Sequence, residues 1–166
     1  MSATIKKKYA EIENISILGV TAKMAPLGLI IYAENYLKAA ESLPMSESRF
    51  DPVCLYLACH SIELSLKSYL SLQGSTMLEL KKLNIGHNLT KLINQCLEEK
   101  IGNLILLSEE HVSEIKNADV YYSGKVFEYP AIGDALEGYP QTPSLQHLIS
   151  IAKNLVSVLK EQCLNA

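Results

Sequence analysis

Asp51-Pro52-Val53-Cys54-Leu55-Tyr56-Leu57-Ala58-Cys59-His60-Ser61-Ile62-Glu63-Leu64-Ser65-Leu66-Lys67-Ser68-Tyr69-Leu70-Ser71-Leu72-Gln73-Gly74 is the stretch that decides the fold. It opens on an aspartate suited to a helix N-cap, followed by a proline whose missing N–H is harmless at the first helical position. It closes on a glycine, the residue that most readily takes the left-handed conformation past a helix end. Between these ends, at 100° per residue, Val53, Leu55, Leu57, Ala58, Ile62, Leu64, Leu66, Tyr69 and Leu70 point nearly all round the axis. A helix apolar on most sides is surrounded by other elements. The stretch predicts a central helix running to about Gln73, the spine of the domain.

Outward from the spine, the chain reads as further helices. Pro26 suits a first helical turn, and Leu29, Ile30, Ala33, Tyr36, Leu37 and Ala40 recur at helical spacing up to Leu43. A connector with Ser46, Ser48 and Asp51 as turn or capping residues follows. Beyond Gly74 comes a short amphipathic segment over residues 75–83, then a helix from Asn88 to Lys100 with Leu89, Leu92, Ile93, Cys96 and Leu97 inward. Ser108 starts the next helix, with Glu109 and Glu110 in the first turn where the dipole favours acids, and it runs towards Tyr121. Residues 122–143 carry Gly124, Pro130, Gly133, Gly138, Pro140 and Pro143 and read as one long loop, a feature that is often functional. The last helix begins at Thr142-Pro143 and turns Leu145, Leu148, Ile149, Ala152, Leu155, Val156 and Leu159 inward. The expected class is all-α: an antiparallel up-and-down bundle of four or five helices over residues 26–166. Residues 1–25 form an N-terminal extension in which 11–20 read equally as a strand or a loose helix.

Composition bounds the chemistry. The chain has 166 residues, of which 48% are apolar and 20% charged, enough for one core without disulfides or metal. Its formal charge of −3 leaves no electrostatic footprint for non-specific nucleic-acid binding. Of fifteen basic residues only Arg49 is an arginine, so no site built on several planar guanidinium forks is available. Cys54, Cys59, Cys96 and Cys163 form no CxxC pair and read as buried free thiols. The ending Cys163-Leu164-Asn165-Ala166 lacks the aliphatic residue and basic run of a prenylation signal. No run of about 20 apolar residues occurs, since Glu11, Glu13, Lys23 and Pro26 interrupt the N-terminal candidate. The expectation is a cytoplasmic protein that does not enter a membrane, with incidental sequons at Asn14 and Asn88.

The polar groups that stand out lie on the spine. Tyr56, His60, Glu63 and Lys67 fall within about a 60° arc at 3.6 residues per turn. Buried unpaired, each ionisable member would cost several kcal/mol, so they must pair or line a cleft. As a structural line, Glu63 pairs with Lys67 at i,i+4 and His60 bonds a carbonyl or Glu63. As a functional cleft, Glu63 and His60 serve as acid and base. His87, in Gly86-His87-Asn88-Leu89, sits where Asn88 (or His87 itself) can cap a helix, and where a helix N-terminus attracts anions. The structural account takes precedence in both cases, and His60, Glu63, Lys67 and His87 remain the candidate ligand-binding set. His111 and His147 read as exposed. No HExxH, HxH or similar spacing suggests a metal, no nucleotide-binding or hydrolase motif occurs, and no catalytic residue or cofactor is assigned. Nine tyrosines accompany no tryptophan, and Tyr121, Tyr122, Phe127, Tyr129 and Tyr139 gather in or beside the long loop. They pack the loop onto the bundle or, as the alternative, make an interface. Tyr121, Tyr122, Phe127 and Tyr129 are the interface candidates.

The run from Pro52 to Leu70, the glycine after it, and Gly86-His87-Asn88-Leu89 leading into Lys91-Leu92-Ile93 together resemble the central region of HEPN-domain proteins. Val126-Phe127-Glu128-Tyr129-Pro130 resembles the aromatic-proline stretch before that family's last helix. The resemblance spans residues 29–159. It implies an antiparallel helical bundle that forms a homodimer, with links to nucleotide binding or RNA cleavage in defence or toxin–antitoxin modules beside a nucleotidyltransferase partner. The family's ribonuclease branch carries an arginine, four to six intervening residues and a histidine near its last helix. Arg49 lies in an early connector outside that spacing, and Glu128 stands where a basic residue is common. The expectation is therefore a non-catalytic HEPN-like domain acting by self-association or by binding a protein partner. The alternatives are a nucleotide- or small-molecule-binding domain at His60, Glu63, Lys67 and His87, and a divergent ribonuclease.

Overall fold

A computed structural model describes residues 24–44, 50–76, 79–80, 87–129 and 142–166. The described residues form an all-helical bundle: α1 (Met24–Ser42), α2 (Pro52–Leu72), α3 (Leu89–Glu98), α4 (Glu109–Ser123) and α5 (Leu145–Asn165), with a 3-10 turn at Ile101–Asn103 after α3. Arg49, Gly86 and the expectations for residues 1–23 and 130–141 lie outside them.

The spine is α2. Asp51 takes an extended backbone and its carboxylate accepts the Cys54 N–H at 3.0 Å, a cap of the kind worth about 1 kcal/mol. At the far end Gly74 turns left-handed at φ +105°, which lets the Ser75 N–H reach Leu70 O at 3.0 Å and the Gly74 N–H reach Ser71 O at 3.1 Å. Two orphan carbonyls are thereby satisfied. Leu55, Ala58, Ile62, Leu66 and Leu70 are all but inaccessible, and α2 packs against each of the other four helices. The all-round apolar pattern has the consequence expected of it.

Hydrogen bonds and ion pairs give the directions. Ser61 Oγ donates to Ala33 O and Ser68 Oγ to Pro26 O, both at 2.8 Å, so α1 descends as α2 rises. Lys153 meets Glu41 at 2.6 Å and Lys160 meets Glu34 at 2.7 Å, so α5 also runs antiparallel to α1. The alternation is not strict, because α3 follows α2 in the same direction: Cys96 Sγ lies 3.6 Å from Leu66 O, and Tyr69 donates to Glu99 O at 2.5 Å. Ser61, Ser65 and Ser68 are fully buried on α2 with their hydroxyls bonded to backbone carbonyls, and at Ser61 and Ser68 those carbonyls belong to α1.

Element ends shift by a residue or two, each for a local reason. α1 begins at Met24, so Pro26 occupies its first turn, where a missing N–H breaks no bond. α5 begins after Ser144, whose hydroxyl caps His147 N–H at 3.3 Å, rather than at Thr142-Pro143. α4 continues past Tyr121 to Ser123, taking Tyr122 out of the expected loop. The chain then turns through Lys125 at φ 59°, and Phe127 folds back onto Tyr121 and Phe50 with ring centroids 6.0 and 5.9 Å apart. This packing sets the surroundings of the aromatic, histidine and cysteine side chains. Tyr121, Tyr122 and Phe127 are buried within the chain, while Tyr129 is 70% exposed. His111 and His147 are half-buried rather than exposed, because α4 and α5 begin side by side and the two rings meet edge to face at 5.8 Å. The four cysteines are free thiols, three of them buried. Among the described residues no helix is long and apolar enough to cross a membrane.

Candidate functional site

Three elements converge on one carboxylate. α2 presents His60, Glu63 and Lys67 at i, i+3 and i+7, one stripe of its surface. Asn88 caps α3 by accepting the Lys91 N–H at 2.8 Å, which leaves the preceding His87 free to reach α2. The last turn of α4 delivers Tyr122, which continues the buried stripe of Ile115 and Ala118.

Glu63 is 1% exposed and lies at the centre. One oxygen, Oε1, accepts from Lys67 Nζ. The other, Oε2, accepts from Tyr122 OH at 2.6 Å and from His87 Nδ1 at 3.0 Å. His60 Nδ1 stands 2.7 Å from Tyr122 OH and 3.6 Å from Glu63 Oε2. All four residues singled out from sequence therefore meet, and none of the described buried side-chain polar atoms is left without a partner. The sequence expectation of a Glu63–Lys67 pair holds, and His60 turns to Tyr122 more closely than to Glu63.

Proton placement follows from donor and acceptor capacity. An ionised carboxylate only accepts, so His87 carries its proton on Nδ1. Tyr122 gives its single proton to Glu63, so the hydrogen in the His60–Tyr122 contact comes from His60 Nδ1. In the neutral form both rings then keep an unprotonated Nε2 that can accept a proton. Burial alone would raise the Glu63 pKa, but the His60 imidazole, the Lys67 ammonium and the Tyr122 hydroxyl overcome it and hold the carboxyl down to about 2. Burial first, and then the neighbouring Glu63 charge, push the Tyr122 phenol far above its ordinary value, so it stays protonated.

Aromatic rings wall the cluster. Tyr36 meets His60 edge-on at 4.4 Å, and Tyr56 stacks on it at 5.6 Å. The side chains of His60 and Lys67 are 15% and 14% exposed, whereas that of His87 is 50% exposed and forms the open side. The helix N-terminus beside it is less receptive to anions than its sequence suggests. The Leu89 N–H is already taken at 2.8 Å by Asp119, a buried carboxylate on α4.

Two participants escaped sequence reasoning. Tyr122 falls in the loop expected from sequence, although its place seven residues after Ile115 and four after Ala118 signals one more helical turn. A metal-competent grouping was also missed: His60, Glu63 and His87 each offer one ligand atom, and these atoms lie within 4.8 Å of one another. No local spacing could show this, because His87 comes 24 residues after Glu63. Comparisons with protein families, with curated proteins and with solved structures return no match.

Proposed function

We propose that this chain is a helical binding domain that takes a small polar ligand at the site formed by His60, Glu63, Lys67 and His87. The observation that carries the reading is the convergence of these residues, with Tyr122, on one buried ionised carboxylate whose open side is a half-exposed histidine. The resemblance to HEPN domains runs through the same residues and supports a binding role without the family's arginine-dependent cleavage. A thermal-shift panel of nucleotides, small metabolites and divalent metal ions tests it. A ligand at a hundredfold excess over its Kd adds about 2.7 kcal/mol of stability. That shift disappears in His87→Ala, whose side chain is half exposed and whose loss leaves the core intact. A panel in which no compound shifts the wild type refutes the reading.

Self-association is the second reading. It rests on large apolar side chains left in water, with Leu106 86%, Tyr129 70%, Val120 69% and Tyr32 64% exposed. Burial of Tyr121, Tyr122 and Phe127 within the chain removes three of the four aromatic residues first considered for such an interface. A monomer by light scattering at micromolar concentration would dismiss this alternative.

A further inference from the structure

We propose that the ligand of this site is a divalent transition-metal ion of the zinc class, held by His60, Glu63 and His87 with the fourth position left to solvent. The inference rests on the binding-site reading above and names the chemistry of its ligand. Two imidazole nitrogens and one carboxylate oxygen are the donor set that ions of this class prefer. At metal–ligand distances of about 2.0–2.1 Å, neighbouring tetrahedral ligands stand roughly 3.3 Å apart. Here Glu63 Oε2 lies 3.0 Å from His87 Nδ1 and 3.6 Å from His60 Nδ1. Tyr122 OH lies 2.6 Å from Oε2, 2.7 Å from His60 Nδ1 and 3.4 Å from His87 Nδ1. One ligand atom from each of His60, Glu63 and His87 thus lies within 4.8 Å of the others, so side-chain rotation can bring the three onto one ion.

The surroundings favour a cation over a phosphate. Lys67 is committed to Glu63 Oε1, which fixes the carboxylate plane and leaves Oε2 as the single coordinating oxygen. At the start of α3 the Lys91 amide is taken by Asn88 and the Leu89 amide by the buried carboxylate of Asp119, which makes that helix end less open to an anion. Tyr36 and Tyr56 fix the His60 ring from its edge and its face. Protons balance simply. Each neutral imidazole moves its proton from Nδ1 to Nε2 by exchange with water, and Nδ1 turns its lone pair to the ion. Glu63 enters already ionised. Tyr122 keeps its proton, goes on donating it to Oε2 and stays outside the coordination sphere, so binding releases no net proton from these four groups.

The test is a titration of the full chain with Zn²⁺ by calorimetry, and with Co²⁺ by visible absorption. One equivalent binds, with a Kd below about 10 μM, and Co²⁺ gives the intense d–d bands of a four-coordinate N/O site. His87→Ala and Glu63→Gln each lose at least about tenfold in affinity, while His147→Ala, which breaks the separate His111–His147 pair, leaves binding unchanged. His87→Ala keeps the test decisive if Glu63→Gln does not fold. Absence of stoichiometric binding by the wild type overturns the inference, as does full affinity in His87→Ala or loss of binding in His147→Ala. If metal fails but a small molecule gives a His87-dependent thermal shift, the ion is wrong and the binding site stands. If both fail, both are wrong.

Discussion

Replacing Tyr122 by phenylalanine isolates the hydroxyl that ties α4 to the centre of the cluster. The ring is 2% exposed, and phenylalanine fills the same volume, so packing is preserved and only the oxygen is lost. That oxygen donates to the ionised Glu63 Oε2 at 2.6 Å and accepts from His60 Nδ1 at 2.7 Å. A hydrogen bond to a charged group contributes about 1.5–3 kcal/mol. The substitution also strands the His60 N–H, which lies 3.6 Å from Glu63 Oε2 and recovers part of the loss by turning towards it. The net expectation is a destabilisation of about 2 kcal/mol. For a domain of this size that corresponds to a fall in Tm of about 4–8 °C. The measurement is equilibrium urea unfolding followed by circular dichroism, with the m-value compared between variants to confirm that the same surface unfolds. Tyr129→Phe is the control, because that side chain is 70% exposed and its change stays within about 0.5 kcal/mol. A Tyr122→Phe variant that also stays within about 0.5 kcal/mol of wild type would refute the placement of its hydroxyl at the Glu63 carboxylate.

Two further outcomes follow from the same structure. The Glu63 carboxyl has a folded pKa of about 2, below its ordinary value of 4.5, so its stabilisation is fully present above the unfolded pKa and is lost as pH falls from about 4.5 towards 2. The loss is on the order of 3 kcal/mol. Urea midpoints measured across that window should fall steeply in wild type and flatten in Glu63→Gln, and parallel curves would contradict the assignment. Burial raises the pKa of all four thiols, but Cys54, Cys59 and Cys96 are buried while Cys163 near the end of α5 is only partly so. Ellman's reagent should therefore modify Cys163 first in native protein and all four cysteines in denaturant, and rapid native modification of Cys59 would be incompatible with the core as described.

The helices were legible because their signals are local. Asp51-Pro52 and Gly74 mark the two ends of α2 through caps that involve only residues within one turn. Ser108 and Asn88 mark α4 and α3 in the same way. The reading slipped where two local signals compete. Pro143 suggested the start of α5, but the hydroxyl of Ser144 makes the cap. The glycine of Ser123-Gly124 suggests a loop beginning at Tyr122, although the helix persists to Ser123. The aromatic residues near that end were weighed as loop packing or an interface because composition does not say which way a side chain points. Packing of Phe127 onto Phe50, remote in sequence, decides it.

By itself the sequence determined the all-helical class, the central place of α2 and the shared stripe of His60, Glu63 and Lys67. Each of these depends only on a 3.6-residue period and on which faces are apolar. Only the tertiary structure decided what that stripe meets. His87 and Tyr122 join Glu63 across 24 and 59 residues of chain. Their arrival depends on α3 running along α2 and on α4 ending against it. Those directions are set by side-chain packing between helices, and no periodicity along one helix contains them. A carboxylate that sequence could pair only with Lys67 thereby became the hub of two histidines and a tyrosine, and the site acquired its chemistry from that meeting.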